Sequence, residues 1–148
     1  MRNVVVAVSV LLVAAASQRI VGQTGSSDAN PIVLPTSDVK WVQVRPGQET
    51  SVLWGDPRTG PYGRFNRFAA GFDDRAHYHT RDLRAVVTSG TLIVQVPGGE
   101  RRELAPGSYV FLPGRTPHTH SCKAGADCVL FVQQDGPNDN VPVDGVRQ

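Results

Sequence analysis

Glycine and proline interrupt this chain about every ten residues, and that spacing constrains the fold more than any other feature. The 148 residues include 15 Gly and 11 Pro, and both types are unfavourable inside helices. The intervening runs are short and rich in Val, Leu, Phe and Tyr, which is typical of strands joined by tight turns. Because no stretch after residue 22 keeps a helical period over a full helix, the sequence predicts an all-β fold.

Ten strands are predicted between the turn residues. They cover 39–45, 50–54, 62–70, 75–79, 83–88, 91–96, 101–104, 108–112, 117–121 and 128–133. Ten antiparallel strands in a body of about 100 residues form a sandwich, a jelly roll or a small barrel.

Composition excludes several classes of protein. A hydrophobic content of 40% is too high for a disordered chain. The balance of 15 basic and 13 acidic residues gives a formal charge of +2, so we expect no nucleic-acid partner, because such binding needs a strongly basic face. Two cysteines are too few for a disulfide scaffold.

The first residues are typical of an export signal. Arg2 precedes an uncharged run over 4–16, and the small residues at its end fit a cleavage site before Ser17, with a second candidate cut after Gly22. The run has about 13 residues, whereas a membrane-spanning helix needs about 20, so an uncleaved anchor is the less favoured alternative. We expect a signal peptide at 1–16, no stable membrane span after its removal, and a periplasmic or secreted protein.

The remaining chain divides by composition. Residues 17–31 are polar and small and predict a flexible lead-in. Residues 32–134 hold the predicted strands and form the domain. Residues 135–148 are rich in Gly, Pro, Asn and Asp and predict a loose tail, with packing over the body as the alternative.

All four histidines occur in two His-x-His pairs, His77 with His79 and His118 with His120. Alternate residues of a strand face the same way, so each pair presents two imidazoles to one side of a sheet. Neutral imidazole is the commonest metal ligand in proteins, and a metal needs several such groups converging on one point. The pattern therefore favours a metal site over four unrelated structural histidines.

The spacing around both pairs resembles the two motifs of the cupin superfamily. The matching positions of the first motif, G-x5-H-x-H-x3,4-E-x6-G, are Gly71, His77, His79 and Gly90. The matching positions of the second, G-x5-P-x-G-x2-H-x3-N, are Gly107, Pro113 and His118. The chain is also similar to exported single-domain bacterial cupins and to the cupin domain of ChrR-type anti-sigma factors. The resemblance implies a jelly-roll barrel with a metal site in its mouth.

The departures from these motifs alter the implied ligand set. Leu83 stands where the first motif has its Glu, and Arg115 and Cys122 replace the Gly and Asn of the second. The implied site is thus three histidines, His77, His79 and His118. Such a site would take one divalent ion, Fe²⁺, Zn²⁺, Mn²⁺ or Ni²⁺, and the order of metal affinities does not choose among them.

Two further residues have open roles beside this set. His120 is either a fourth ligand, a catalytic proton shuttle hydrogen-bonded near the site, or a plain structural residue. Asp82 neighbours the missing Glu, but a regular strand aims it at the opposite face, and only a bulge would bring it to the metal.

Arginines flank the implied site. Arg84, beside Leu83, is our candidate for binding a substrate carboxylate through its two-pronged guanidinium, and a solvated surface role is the alternative. Arg64 and Arg67 have the same two possible roles, substrate binding and a solvated surface position.

Cys122 and Cys128 are separated by five residues that include Gly125. In an exported protein this spacing predicts a disulfide across a hairpin. A free thiol near the metal is the alternative, because Cys122 occupies the Asn position of the second motif.

Three functions remain open at this point. The first is a metal-dependent enzyme with dioxygenase-, isomerase- or lyase-like chemistry on a small polar or anionic molecule, and among these the resemblance favours a dioxygenase. The second is a non-catalytic module that binds or senses a small molecule or metal, and the third is a purely structural barrel. Cupins often pair as homodimers, for which residues 32–54 are the candidate segment.

Overall fold

The computed structural model describes residues 30–143. All the elements below lie in the compact unit of the chain that begins at Leu34. The described residues form one 3-10 turn, Thr36–Asp38, and eleven strands. The strands are β1 (Val42–Arg45), β2 (Gln48–Gly55), β3 (Tyr62–Phe68), β4 (His77–Tyr78), β5 (Leu83–Ser89), β6 (Leu92–Gln95), β7 (Arg102–Leu104), β8 (Tyr109–Leu112), β9 (Thr119–Cys122), β10 (Cys128–Gln134) and β11 (Val141–Pro142).

The larger layer is a six-stranded sheet in the order β1-β2-β3-β10-β5-β8. Every neighbouring pair in it is antiparallel. Strand β10 lies between β3 and β5, and its residues alternate strictly between buried and half-buried. This period of two is what a strand with one face on the core requires.

The second layer consists of the ladders β7-β6-β9 and β11-β4. An antiparallel bridge between His77 and His118 joins them. The His77 N–H donates to the His118 carbonyl at 3.0 Å, and the His118 N–H donates to the His77 carbonyl at 2.8 Å. The two His-x-His segments are therefore adjacent in one layer of a jelly-roll sandwich.

The apolar core lies between the layers. Its buried residues come from both sheets and are Phe68, Ala85, Val87, Leu92, Cys122, Cys128, Leu130 and Val132. Ala85 and Val87 alternate with half-buried or exposed neighbours along β5, as a strand with one covered face does.

The all-β prediction is confirmed, and each of the ten predicted strands corresponds to one of β1–β10. Strand β11 was not predicted, because a two-residue Val-Pro strand in a polar segment carries no alternation to detect. Within residues 135–143, Val141 pairs with Tyr78, and the Val143 N–H donates to the Ala76 carbonyl at 3.0 Å.

The expected signal peptide at 1–16, the lead-in up to residue 29 and the last residues, 144–148, lie outside the described part of the chain. Among residues 30–143 there is no helix long and apolar enough to cross a membrane.

The predicted disulfide is confirmed. Cys122 at the end of β9 is bonded to Cys128 at the start of β10, with 5.7 Å between their Cα atoms. Both cysteines belong to the buried core and link the two layers directly after the second histidine pair.

Replacing both cysteines by alanine should lower the free energy of unfolding by about 2–3 kcal/mol, because the short loop frees only modest chain entropy in the unfolded state. Urea denaturation of the oxidised protein and of the double variant measures the change. The wild type under reducing conditions should match the variant closely. Equal midpoints for oxidised and reduced wild type would contradict the prediction.

Candidate metal centre

Three imidazoles converge where the two histidine segments meet. His77 begins β4, His79 follows that strand, and His118 precedes β9. Their ring centroids are 4.4 Å apart for His77 and His118, 5.1 Å for His77 and His79, and 5.4 Å for His79 and His118. One nitrogen from each ring lies within 4.8 Å of the others, close enough for one metal ion to contact all three.

Backbone carbonyls orient all three rings in the same way. Nδ1 of His77 lies 2.8 Å from the Arg75 carbonyl, and Nδ1 of His118 lies 3.0 Å from the Thr116 carbonyl. Nδ1 of His79 lies 2.5 Å from the Asp139 carbonyl. Because a carbonyl only accepts, each Nδ1 carries the proton and donates it, which leaves each Nε2 lone pair available. Metal-binding histidines are typically held in this arrangement.

Burial keeps two of these imidazoles, His79 and His118, uncharged. Desolvation lowers the pKa of His118 to about 4, and it also lowers the pKa of His79 below its ordinary value. Both rings are therefore neutral at pH 7, which is the form that binds a metal. The three residues fit a divalent transition metal: three neutral nitrogen donors would hold it and leave further coordination positions open.

A second group of candidate ligands lies beside the first and shares His77. It consists of Asp74, His77 and His120, again with one ligand atom each within 4.8 Å. Nε2 of His120 lies 3.6 Å from Oδ2 of Asp74, slightly too far for a good hydrogen bond. The His120 ring packs on Phe68 at 4.8 Å, and burial lowers its pKa below the ordinary value.

Asp74 is the site residue that sequence reasoning missed. Its side chain is only 5% exposed, and Oδ2 accepts a hydrogen bond from Arg45 at 2.5 Å. Burial raises the pKa of this carboxyl, but the Arg45 hydrogen bond and the nearby His120 and His77 bring it below its ordinary value. The sequence signal for Asp74 is its acidic side chain three positions before the pair His77 and His79. Asp73 is adjacent, so the sequence does not show which of the two carboxylates joins the site.

The structure does not bring Asp82 to the histidines. Its Oδ1 accepts a hydrogen bond from the Gly114 N–H at 2.8 Å, and it belongs to neither group of candidate ligands. No bulge redirects it, and β5 starts one residue later. Leu83, at the position of the motif Glu, lines the cavity in front of the histidines instead.

Arg84 is also outside the cavity, contrary to its expected role in substrate binding. Its Nη1 donates to Asp135 at 2.6 Å, and its guanidinium lies 5.1 Å above the ring of Phe111. The reason is strand alternation: Leu83 and Ala85 face the cavity, so Arg84 between them faces outward.

The histidines open into a cavity of about 380 Å³ inside the sandwich. This volume is in the range of small-molecule sites. Nine aliphatic residues form the apolar part of its walls: Val44, Leu83, Ala85, Leu92, Val94, Val110, Leu112, Leu130 and Val132. Polar residues complete the lining and include Arg64, Asn66 and the segment 138–140.

Comparison with known families assigns the chain. The family described as "Domain of unknown function (DUF4437)" matches residues 24–141, which include every described strand except the last residue of β11. The chain belongs to the DUF4437 family. No curated protein matches this DUF4437 protein significantly.

Solved structures share its architecture. The polyketide cyclase RemF from Streptomyces resistomycificus is 20% identical with a TM-score of 0.64, over 78% of this chain and 89% of that chain. An RmlC-like cupin from Ralstonia eutropha is 21% identical with a TM-score of 0.60, over 72% and 69%. A chain of the Rhodobacter sphaeroides complex of SigE with the anti-sigma ChrR is 18% identical with a TM-score of 0.56, over 68% and 51%. The DUF4437 protein therefore has the cupin fold that its motifs implied.

Proposed function

We propose that this DUF4437 protein holds one divalent transition metal ion on His77, His79 and His118 and uses it to bind and convert a small polar or anionic molecule. The observation that supports this most is the shared orientation of the three rings, each donating Nδ1–H to a carbonyl and keeping Nε2 free. Metal-binding histidines typically use one ring nitrogen for the ion and donate the other N–H to such an acceptor. A bound metal would supply Lewis-acid chemistry in this cavity.

His120 is the residue we propose for proton transfer. It lines the same cavity, and burial lowers its pKa, so its imidazole is neutral at pH 7. The Asp74 carboxylate lies 3.6 Å from Nε2, where it would offset the charge of the protonated ring. Arg45 keeps that carboxylate ionised through its hydrogen bond.

The reaction class we favour is dioxygenase-, isomerase- or lyase-like. Three neutral ligands leave the charge of the ion uncompensated, which favours an anionic substrate or a bound hydroxide. A non-catalytic binding or sensing module is the second candidate. It is favoured by Leu83, an apolar side chain at the position where the related motif supplies a carboxylate.

We also propose that the protein is exported to the periplasm or secreted. The disulfide between Cys122 and Cys128 supports this, because such bonds persist mainly in oxidising compartments.

Metal titration tests the proposal directly. Protein purified without a polyhistidine tag and stripped with a chelator should bind about one equivalent of Zn²⁺, Mn²⁺, Ni²⁺ or anaerobic Fe²⁺ per chain. Calorimetry and elemental analysis measure the stoichiometry. Absence of stoichiometric binding for all four ions would refute the metal centre.

Oxygen uptake then separates enzyme from binder. The anaerobically loaded iron form should consume oxygen with at least one member of a panel of thiols, diketones and phenolic acids. Saturable binding of a panel member without oxygen uptake or any product would favour the binding module. The zinc form is the matched control, because it cannot carry out redox chemistry.

A further inference from the structure

Arg64 is a charged residue that lines the cavity but has no role in the candidate metal centre. It lies on β3, where Arg64, Asn66 and Phe68 face the cavity on alternate positions. Arg67 on the same strand faces the other way. It pairs with Glu49 and stacks on Trp41 at 4.4 Å.

The guanidinium of Arg64 is held in place but not neutralised. It lies 5.0 Å above the ring of Tyr62, and Nη2 donates to Oδ1 of Asn138 at 3.0 Å. Its Nε is buried and has no hydrogen-bond partner. Both fixed contacts are neutral groups, so they position the charge without compensating it.

Five of the nine other arginines in residues 30–143 have a carboxylate partner. Ion pairs hold Arg45, Arg58, Arg67, Arg84 and Arg102. Within residues 30–143, Arg64 has no carboxylate oxygen within the 4.0 Å of an ion pair. Arg64 is half-buried, and its buried Nε–H group without a partner is unfavourable. A bound anion would accept that N–H group and pair with the charge of the guanidinium.

Arg64 is also close to the metal centre. Its charge is one of the influences that lower the pKa of His79, and both side chains line the same cavity. A molecule bound at Arg64 therefore lies beside the candidate ligands, while aliphatic walls surround the rest of it.

We propose that Arg64 binds the carboxylate of a small monocarboxylic acid whose apolar body fills the aliphatic part of the cavity. The inference rests on the proposed function only in placing that acid beside the metal. A single unpaired cation matches a single negative charge, and the planar guanidinium matches the planar carboxylate. Arg45, the other arginine of the lining, is already paired with Asp74.

Benzoate and its neutral counterpart benzamide test the charge requirement. In calorimetric titrations of chelator-stripped protein, benzoate should bind and benzamide should bind about tenfold more weakly or not at all. Arg64→Gln should weaken benzoate binding about tenfold or more, and Arg64→Lys should have an intermediate effect. Arg67→Gln, the matched control on the outer face of β3, should bind benzoate like the wild type.

Wild-type protein provides a second measurement that needs no variant to fold. Benzoate should shift the Nε–H resonance of Arg64 in ¹H–¹⁵N spectra, and benzamide should not. Equal affinity for benzoate and benzamide, equal weakening by Arg64→Gln and Arg67→Gln, or an unmoved Nε–H resonance would overturn the proposal. Phenyl phosphate binding in place of benzoate would also overturn it, in favour of a phosphate site.

The two proposals fail separately. Because the titrations use metal-free protein, benzoate binding with no metal uptake would refute the metal centre and leave the Arg64 subsite standing. Metal uptake with no benzoate binding would refute the Arg64 subsite and leave the metal centre standing.

Discussion

Replacing His118 by alanine is expected to weaken metal binding by more than about 100-fold, because loss of a ligand costs more than loss of a group that merely orients one. His118 offers a neutral, oriented Nε2 to the same point as His77 and His79. Part of the cavity lining around it is aliphatic, and His120, the remaining imidazole of that lining, belongs to the other group of candidate ligands. Competition with a chromogenic chelator measures the dissociation constant for Zn²⁺.

Two variants control this result. Tyr78→Phe changes the residue between His77 and His79 without touching a candidate ligand, and should leave the affinity unchanged. His120→Ala separates the two groups of candidate ligands, since His120 belongs to one and His118 to the other. If His120→Ala abolished binding and His118→Ala did not, the metal would lie on Asp74, His77 and His120 instead.

Introducing a carboxylate at position 83 is expected to strengthen metal binding by roughly tenfold to a hundredfold. Leu83 lines the cavity with the histidines and occupies the position of the motif Glu. A carboxylate there would add a negative ligand to three neutral ones, and the gain should be larger for Mn²⁺, which prefers oxygen ligands.

Leu112→Glu is the matched control for Leu83→Glu. Leu112 pairs with Leu83 across β5 and β8 and also lines the cavity, so it places a similar charge in similar surroundings. A gain in affinity for Leu83→Glu alone would support the position of the centre. Equal effects of both variants would show that a general negative potential, rather than a ligand, was responsible.

The strands were predictable because local rules decide them. Turn residues limit each strand, and alternation, as along β10, shows which side chains face the core. Strand β11 lacks both signals. Its position depends on pairing with β4, some sixty residues earlier, and such a long-range contact leaves no periodic pattern in the sequence.

The candidate site was predictable only in part, for a related reason. Strand alternation puts His77 and His79 on one face, and the resemblance to the cupin motifs implies His118 as the third member of the set. Asp74 and Arg64 acquire their roles from residues distant in sequence: Asp74 from His120 and Arg45, and Arg64 from Asn138 and the cavity. Alternation correctly argued that Asp82 points away from the metal, and the same rule applied to Arg84 would have placed it outside the cavity.

The segment after β10 ties the candidate metal centre to the proposed anion subsite. The Asp139 carbonyl, sixty positions beyond His79, fixes the ring of that histidine, and its carboxylate accepts the Thr80 N–H at 3.0 Å. The adjacent Asn138 holds Arg64. A chain cut after β10 would keep every histidine and Arg64 but lose the groups that aim His79 and Arg64. Every residue at position 139 supplies a carbonyl for His79, but only an acceptor side chain there holds the Thr80 N–H, and only an acceptor at 138 holds Arg64. A family varying this short segment could thus change its ligand preference without altering one histidine.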